Sequence, residues 1–249
     1  MIDIHSHVLP MVDDGASSVE QALRMLVQAY EDGTDEIVLT PHLAYDYGFD
    51  NPSDKIKDLY EDLKYIVKKE RIPIVMHLGC EFLFSSLDTF TKYLDEITFM
   101  NDTKYLLIEF YFDVDETDIL HAIDVVVKKG FIPIIAHPER YECIKISIDV
   151  VKEGIEKGAL FQMNKGSLFG DYGRTARETV FDLLDKHYIH FAGSDAHNTS
   201  SRNTYMYEAY RLIKDVYGKE YAKDIFIKNA KDMLSNKDIR KRGKDEKME

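Results

Sequence analysis

The feature that most constrains this chain is an alternation of strand and helix repeated seven times. Apolar runs at residues 2–4, 36–40, 72–79, 105–110, 131–136, 159–163 and 188–192 are each followed by a stretch with helical periodicity. Several runs are apolar without a break, as strands buried on both faces are. Such alternation implies a parallel sheet with right-handed crossovers. An open doubly wound sheet and a closed barrel both satisfy it. Polar residues stand at the C-terminal end of every run, and in a barrel all strand C-termini converge on one face. The pattern therefore favours an α/β fold with a seven-stranded (β/α) barrel. No internal linker interrupts it, so 1–234 reads as one domain and 235–249 as a charged C-terminal tail.

The helices have ordinary signals. Ser17-x-x-Glu20 matches a capping box. Val19, Ala22, Leu23, Leu26, Val27 and Tyr30 then form an apolar stripe, and Gly33 closes the helix. Later helices are expected near 56–66, 87–96, 119–129, 150–157, 176–186, 204–217 and 221–233.

At 249 residues and 45% hydrophobic, the chain can bury a sizeable core. No apolar run reaches the length of a membrane-spanning helix, and no basic segment with an apolar stretch behind it suggests a signal peptide. Cys80 and Cys143 make no disulfide framework, which points to a reducing cytoplasm. A net charge of -13 argues against non-specific nucleic-acid binding. The basic stretch 237–244 is expected to be a solvated or disordered tail.

The chemistry lies at the strand ends. His5-x-His7 closes the first strand, and two imidazoles two residues apart on an extended segment share one side. Asp14 follows on the loop. His42, Glu81, Glu109, His137, Asp195 and His197 come at or just after later runs. A lone histidine at a strand end usually has no special role. A lone Glu109 in an apolar strand is rarer, since an unpaired buried charge is costly. Nine such residues at strand ends together point to a metal cluster. With no thiolate among them, a structural zinc site is disfavoured. Nitrogen and oxygen donors suit manganese, iron, cobalt or zinc in a catalytic centre. Four carboxylates are balanced by two divalent cations, and a third would leave the site attractive to a phosphate dianion.

Two arginines fall on the same face. Arg140 and Arg202 follow His137 and His197, and a planar guanidinium suits phosphate oxygens. Asn164 and Ser167 are weaker candidates for substrate contacts, and Tyr205, Tyr207 and Tyr210 are expected to pack on a helix. Among the remaining histidines, His121 and His187 have no assigned role, and His77 and His190 could at most support the ligands from behind. Neither cysteine is followed six residues later by arginine; those positions hold Ser86 and Asp149. There is no Gly-x-x-x-x-Gly-Lys and no Gly-x-Gly-x-x-Gly, so phosphate chemistry here has to be metal-based.

The motifs Met1-Ile-Asp-Ile-His-Ser-His7, Asp13-Asp-Gly15, Thr40-Pro-His42, Gly79-Cys-Glu81, Tyr105-Leu-Leu-Ile-Glu109, Ile135-Ala-His-Pro-Glu-Arg140 and Gly193-Ser-Asp-Ala-His197 resemble those of the polymerase and histidinol phosphatase (PHP) superfamily. Within it, they are similar to the bacterial manganese-dependent protein-tyrosine phosphatases of the CpsB/YwqE type. The resemblance covers the chain to about Met233. It implies a distorted seven-stranded barrel, three divalent metals such as Mn2+, and a metal-bound hydroxide as nucleophile without a phosphoenzyme. It also implies a tyrosine autokinase of capsule or exopolysaccharide synthesis as substrate. A small-molecule phosphatase of the histidinol-phosphatase kind is the alternative. By the same resemblance, His5, His7, Glu81 and Asp195 hold one metal, Glu81, Glu109 and His137 a second, and Asp14, His42 and His197 a third. Arg140 and Arg202 match positions that bind the phosphoryl group. The loop after His42, Leu43-Ala-Tyr-Asp-Tyr-Gly48, departs from the basic or histidine-bearing loops of some relatives.

Overall fold

The structure, a computed structural model, describes residues 1–241. Nine strands occur among them: β1 (Ile2–Ser6), β2 (Glu36–Leu39), β3 (His42–Leu43), β4 (Val75–Leu78), β5 (Glu81–Leu83), β6 (Tyr105–Glu109), β7 (Ile132–Ala136), β8 (Leu160–Asn164) and β9 (Phe191–Gly193). The helices are α1 (Val19–Glu31), α2 (Ser53–Lys69), α3 (Leu87–Tyr93), α4 (Glu116–Lys128), α5 (Glu142–Ile146), α6 (Asp149–Lys157), α7 (Lys165–Phe169), α8 (Arg174–Asp185), α9 (Tyr207–Tyr217), α10 (Lys219–Lys223) and α11 (Asn229–Leu234). A π-helical turn, Asp224–Lys228, joins the last two.

The strands form two parallel sheets, ordered β1-β2-β4 and β3-β5-β6-β7-β8-β9. The expected second and third strands are each followed by a further short strand. Pro41, which has no N–H to give to a ladder, separates β2 from β3, and Gly79-Cys80 separates β4 from β5. The breaks stay aligned: Gly79 N–H donates to Leu39 O at 2.9 Å and Glu81 N–H to Pro41 O at 3.1 Å. His42 and Glu81 are therefore direct neighbours on β3 and β5. At the far edge, Ser6 bridges Ala196 in parallel, Asp195 N–H donates to His5 O at 2.8 Å, and His7 N–H donates to Ala196 O at 2.9 Å. The end of β9 thus lies against β1.

Period-two alternation sorts the side chains into two cores. Ile2, Ile4, Val38, Tyr105, Leu107, Ile132, Ile134, Ala136, Leu160 and Phe191 form an inner cluster. A larger cluster, with Leu39, Leu106, Ile108, Ile135 and Phe161, faces the helices. Ala230, Met233 and Ile239 complete the inner cluster. The expected tail is consequently anchored in part, although Ser235, Asn236 and Lys237 are exposed. Ile239 is 7% exposed, and Tyr105 Oη donates to Lys237 O. An apolar side chain and a buried hydroxyl together outweigh the local charge. The rest of that expected tail, 242–249, lies outside the described residues.

Helix α1 begins one residue later than expected. Ser18 is the cap, its hydroxyl accepting from Gln21 N–H at 3.2 Å. The buried stripe is Ala22, Met25, Leu26 and Ala29, while Val27 and Tyr30 are exposed. No helix is long and apolar enough to cross a membrane among the described residues.

Candidate metal centre

The same alternation that builds the inner core delivers the site. Tyr105 and Leu107 face inward, so Glu109 does too, one layer higher; Leu160 leads likewise to Gln162 and Asn164. Pairing of β1 with β2 slips between Asp3 and Ser6, an irregularity of the kind that redirects side chains near functional sites. His5 lies beyond Ile4, against Glu81. Gly193 makes room for it: a Cβ there would fall 2.7 Å from the His5 Cβ. His137 and Asp195 sit in the left-handed region, at φ 35° and 50°, which turns the chain sharply at the ends of β7 and β9.

All nine expected ligand residues come together. Glu81 stands in the middle: its Oε2 is 3.0 Å from His5 Nε2, 3.2 Å from His7 Nε2 and 3.3 Å from His42 Nδ1, and its Oε1 is 2.9 Å from His137 Nε2. Three sets of donor atoms lie close enough to share a cation: His7, Asp14, His42 and His197; His5, His7 and Glu81; and His42, Glu81 and Glu109. His137 Nε2 is 3.6 Å from Glu109 Oε1. Asp195 Oδ1 lies 3.7 Å from His5 Nε2 and 3.5 Å from His7 Nε2. Asp14 is the exposed member, its Oδ1 3.3 Å from His197 Nε2 and 3.6 Å from His42 Nε2.

Electrostatics follow from crowding. Burial alone would raise Glu81, but the charges of His5 and His42 and the hydrogen bonds of His137 and His5 hold it well below the usual carboxylate range. Glu109 goes the other way, raised by burial and by the charges of Glu81 and Asp195. Burial, with the neighbouring charges of His7 and Arg140 respectively, pushes His42 and His137 down to about 4. Near neutral pH both are unprotonated, the state a metal requires of imidazole. His42 Nδ1, Glu109 Oε2, His137 Nδ1 and His197 Nε2 are buried without a hydrogen-bond partner.

Two supporting residues escaped the sequence reading. Asp13 accepts from His7 Nδ1 at 2.8 Å and from His42 N–H at 2.9 Å, its side chain 1% exposed. Gln162 Oε1 lies 2.8 Å from His5 Nδ1. Each fixes which ring nitrogen faces Glu81. The Asp-Asp-Gly stretch carried a signal for Asp13, since Gly15 allows a turn so tight that a Cβ would strike His7 O at 2.1 Å.

The arginines converge on one carboxylate. Arg202 Nη2 donates to Asp195 Oδ1 at 2.7 Å, and Arg140 Nη1 lies 3.5 Å from Asp195 Oδ2. The Arg140 guanidinium is also 4.3 Å from the Phe112 ring centre and 4.4 Å from that of Tyr172. Asn164 differs from the expected substrate contact. It is fully buried, and its amide donates to Asp195 Oδ2 at 2.6 Å, behind the cavity. Ser167 is buried as well, donating to Glu139 Oε1 at 2.6 Å. His77 pairs with Glu36 and Asn101 and takes no part in the site, nor does His190, which meets Phe161 N–H. Tyr210 packs on Phe226, but Tyr205 and Tyr207 are exposed, because α9 starts only at Tyr207. Arg140 and Arg202 join Glu81, Glu109, His137 and Asp195 in lining a cavity of about 220 Å³.

The family model for capsular polysaccharide synthesis proteins CpsB/CapC matches residues 1–235. The chain belongs to the CpsB/CapC family. Among its CpsB/CapC relatives is a Streptococcus agalactiae protein named tyrosine-protein phosphatase CpsB, 34% identical over 95% of this chain and 99% of the relative. Another is the tyrosine-protein phosphatase YwqE of Bacillus subtilis, 33% identical over 96% and 93%. A chain from the crystal structures of Bacillus subtilis YwqE and Streptococcus pneumoniae CpsB, described as metal-dependent tyrosine phosphatases, matches with a TM-score of 0.88, 33% identity and 95% coverage of both. The phosphotriesterase of Mycobacterium tuberculosis shares the fold at a TM-score of 0.56 and 11% identity, covering 94% of each chain. This CpsB/CapC member is accordingly an α/β protein whose neighbours are barrel-type hydrolases.

Proposed function

We propose that this protein is a metal-dependent phosphatase acting on phosphotyrosine in a protein. The observation that carries the reading is the convergence of nine nitrogen- and oxygen-bearing residues, eight of them buried and Asp14 exposed, with Glu81 at their centre and two guanidinium groups on the adjoining Asp195. The donor set fits divalent cations. Four buried nitrogen and oxygen atoms of the set have no hydrogen-bond partner, and Glu109 is destabilised as a carboxylate by burial and by its neighbours' negative charge. His5, His7, Glu81 and Asp195 would hold one cation, Glu81, Glu109 and His137 a second, and Asp14, His42 and His197 a third, manganese being the metal we favour. Bound cations would supply Lewis acidity and an activated water. Asp13 and Gln162 hold the imidazoles in one tautomer, and Arg140 and Arg202 receive the phosphoryl oxygens and balance their charge in the transition state.

We read the two sheets as one distorted seven-unit barrel, broken at Pro41 and Gly79 and closed where Ser6 meets Ala196. Residues 1–234 act as one domain. The relatives' names and the family's description support a phosphotyrosine protein of capsular polysaccharide synthesis as the substrate; a bacterial tyrosine kinase of capsule or exopolysaccharide synthesis, met in the cytoplasm, is the substrate protein we favour. To test this, the protein is stripped with a chelator and reloaded. Phosphate release from a phosphotyrosine peptide should vanish and return with manganese, and should exceed release from histidinol phosphate. Glu81→Ala should lose both metal and turnover while staying folded. Full turnover by verified metal-free protein would defeat the proposal.

A further inference from the structure

We propose that Tyr47 and Phe112 form a slot for the aromatic ring of an aryl phosphate, so that the rim of the cavity, rather than its ligand-rich floor, selects phosphotyrosine over alkyl phosphomonoesters. The inference rests on the phosphatase reading above and specifies its substrate class. The cavity is graded from floor to mouth. Glu81, His137 and Asp195 are each 1% exposed, whereas Tyr47 and Phe112, which line the same cavity, are 51% and 41% exposed. Wet aromatic carbon at the mouth of a polar cavity gains when another ring covers it.

Both rings are held in place before any ligand arrives. Tyr47 packs edge-on against Tyr111, with centroids 5.7 Å apart and planes at 85°. The Tyr111 hydroxyl donates to Asp46 Oδ2 at 2.7 Å. The loop after β3 and the loop after β6 are thereby joined by two contacts. Tyr45, on the first of these loops, stacks on Tyr93 at 3.9 Å. Phe112 is fixed by the Arg140 guanidinium against its face, next to the group assigned to the phosphoryl oxygens. Preorganised rings lose little freedom on binding. An alkyl phosphate reaches the floor and the arginines but leaves both rings wet; phosphotyrosine engages the floor and covers the rim.

The test uses manganese-loaded protein and two unreactive probes, phenylphosphonate and methylphosphonate, followed by calorimetry. The wild type should bind the aryl probe about three- to tenfold more tightly, the scale of one aromatic contact. Tyr47→Ala should lower that aryl-to-alkyl ratio at least threefold, and Tyr47→Phe should restore it, because the ring and not the hydroxyl makes the slot. In turnover, the ratio of kcat/KM on a phosphotyrosine peptide to that on its phosphoserine counterpart should fall in Tyr47→Ala mainly through KM. An unchanged ratio in Tyr47→Ala, or a Tyr47→Phe variant as impaired as Tyr47→Ala, would overturn the slot while leaving the phosphatase reading intact. Aryl preference in binding, lost in Tyr47→Ala, with no cleavage of either peptide, would support the slot and defeat the phosphatase reading.

Discussion

The side-chain amide of Asn164 donates to Asp195 Oδ2 at 2.6 Å, and neither residue is more than 1% exposed. With Arg202 on Oδ1, both oxygens of this carboxylate are fixed in direction. Asn164→Ala should therefore lower metal affinity or turnover by about 10- to 100-fold, the usual effect of removing a group that orients a ligand. Metal titration of the variant checks it. A raised KM with unchanged metal affinity would instead mean that Asn164 touches the substrate.

Arg140 is held between Phe112 and Tyr172 with Asp195 as its ionic neighbour. Its sequence neighbours are not its partners: Glu139 is buried on Ser167, and Glu142 pairs with Lys145 at 2.8 Å. Arg140→Ala should keep its fold and metals and lose about 2 to 4 kcal/mol of transition-state stabilisation, on the scale of a lost oxyanion donor. Arg140→Lys should recover only part, since an ammonium cannot make a two-pronged contact. A change in kcat/KM below about fivefold, the worth of a surface ion pair, would remove Arg140 from phosphate binding.

Neither thiol is placed for covalent catalysis. Cys80 is 1% exposed and burial pushes it up to about 12; Cys143 is likewise raised by burial. Cys80→Ala and Cys143→Ser should each keep more than half of the wild-type rate on a phosphotyrosine peptide. A trapped phosphocysteine would turn the argument toward a thiol nucleophile.

His190 gives the fold a pH dependence separate from the site. Its Nδ1 accepts the Phe161 N–H at 3.2 Å, which only the unprotonated ring can do, and burial pushes it down to about 4. An unfolded histidine titrates near 6.5, so between these values the unfolded chain binds more protons. Stability from this group is complete above about pH 6.5 and is lost as pH falls toward 4. Between pH 7 and pH 5 the loss should be about 2 kcal/mol. His190→Gln should show a smaller fall in Tm over that interval; an identical fall in both proteins would contradict the assignment.

The site was more legible than the fold's details. Glu109 betrayed itself as a charge in an otherwise apolar strand, and His5-x-His7 by its spacing. Gln162 did not, because an amide in a strand looks ordinary until the imidazole it holds is seen, and Asp13 was marked only by the tight turn at Gly15. The strands beyond Pro41 and Cys80 were equally hidden, since β3 and β5 are too short for alternation to register. The α1 stripe was displaced: Met25 and Ala29, rather than Val27 and Tyr30, share the buried face with Ala22 and Leu26. Asn164 was named a weaker candidate for a substrate contact; in the structure its amide donates to the carboxylate of Asp195, thirty-one positions further on.

Ala230, Met233 and Ile239 complete the inner cluster that Ile2 and Ile4 begin. Synthesis runs from one to the other, so a nascent chain on the ribosome carries β1 to β9 while that cluster is still open at one end. Protease sensitivity of stalled nascent chains should therefore persist after residue 197 has left the exit tunnel and fall only once residue 239 is clear. The residues that would bind metal are all made before the core beneath them can close.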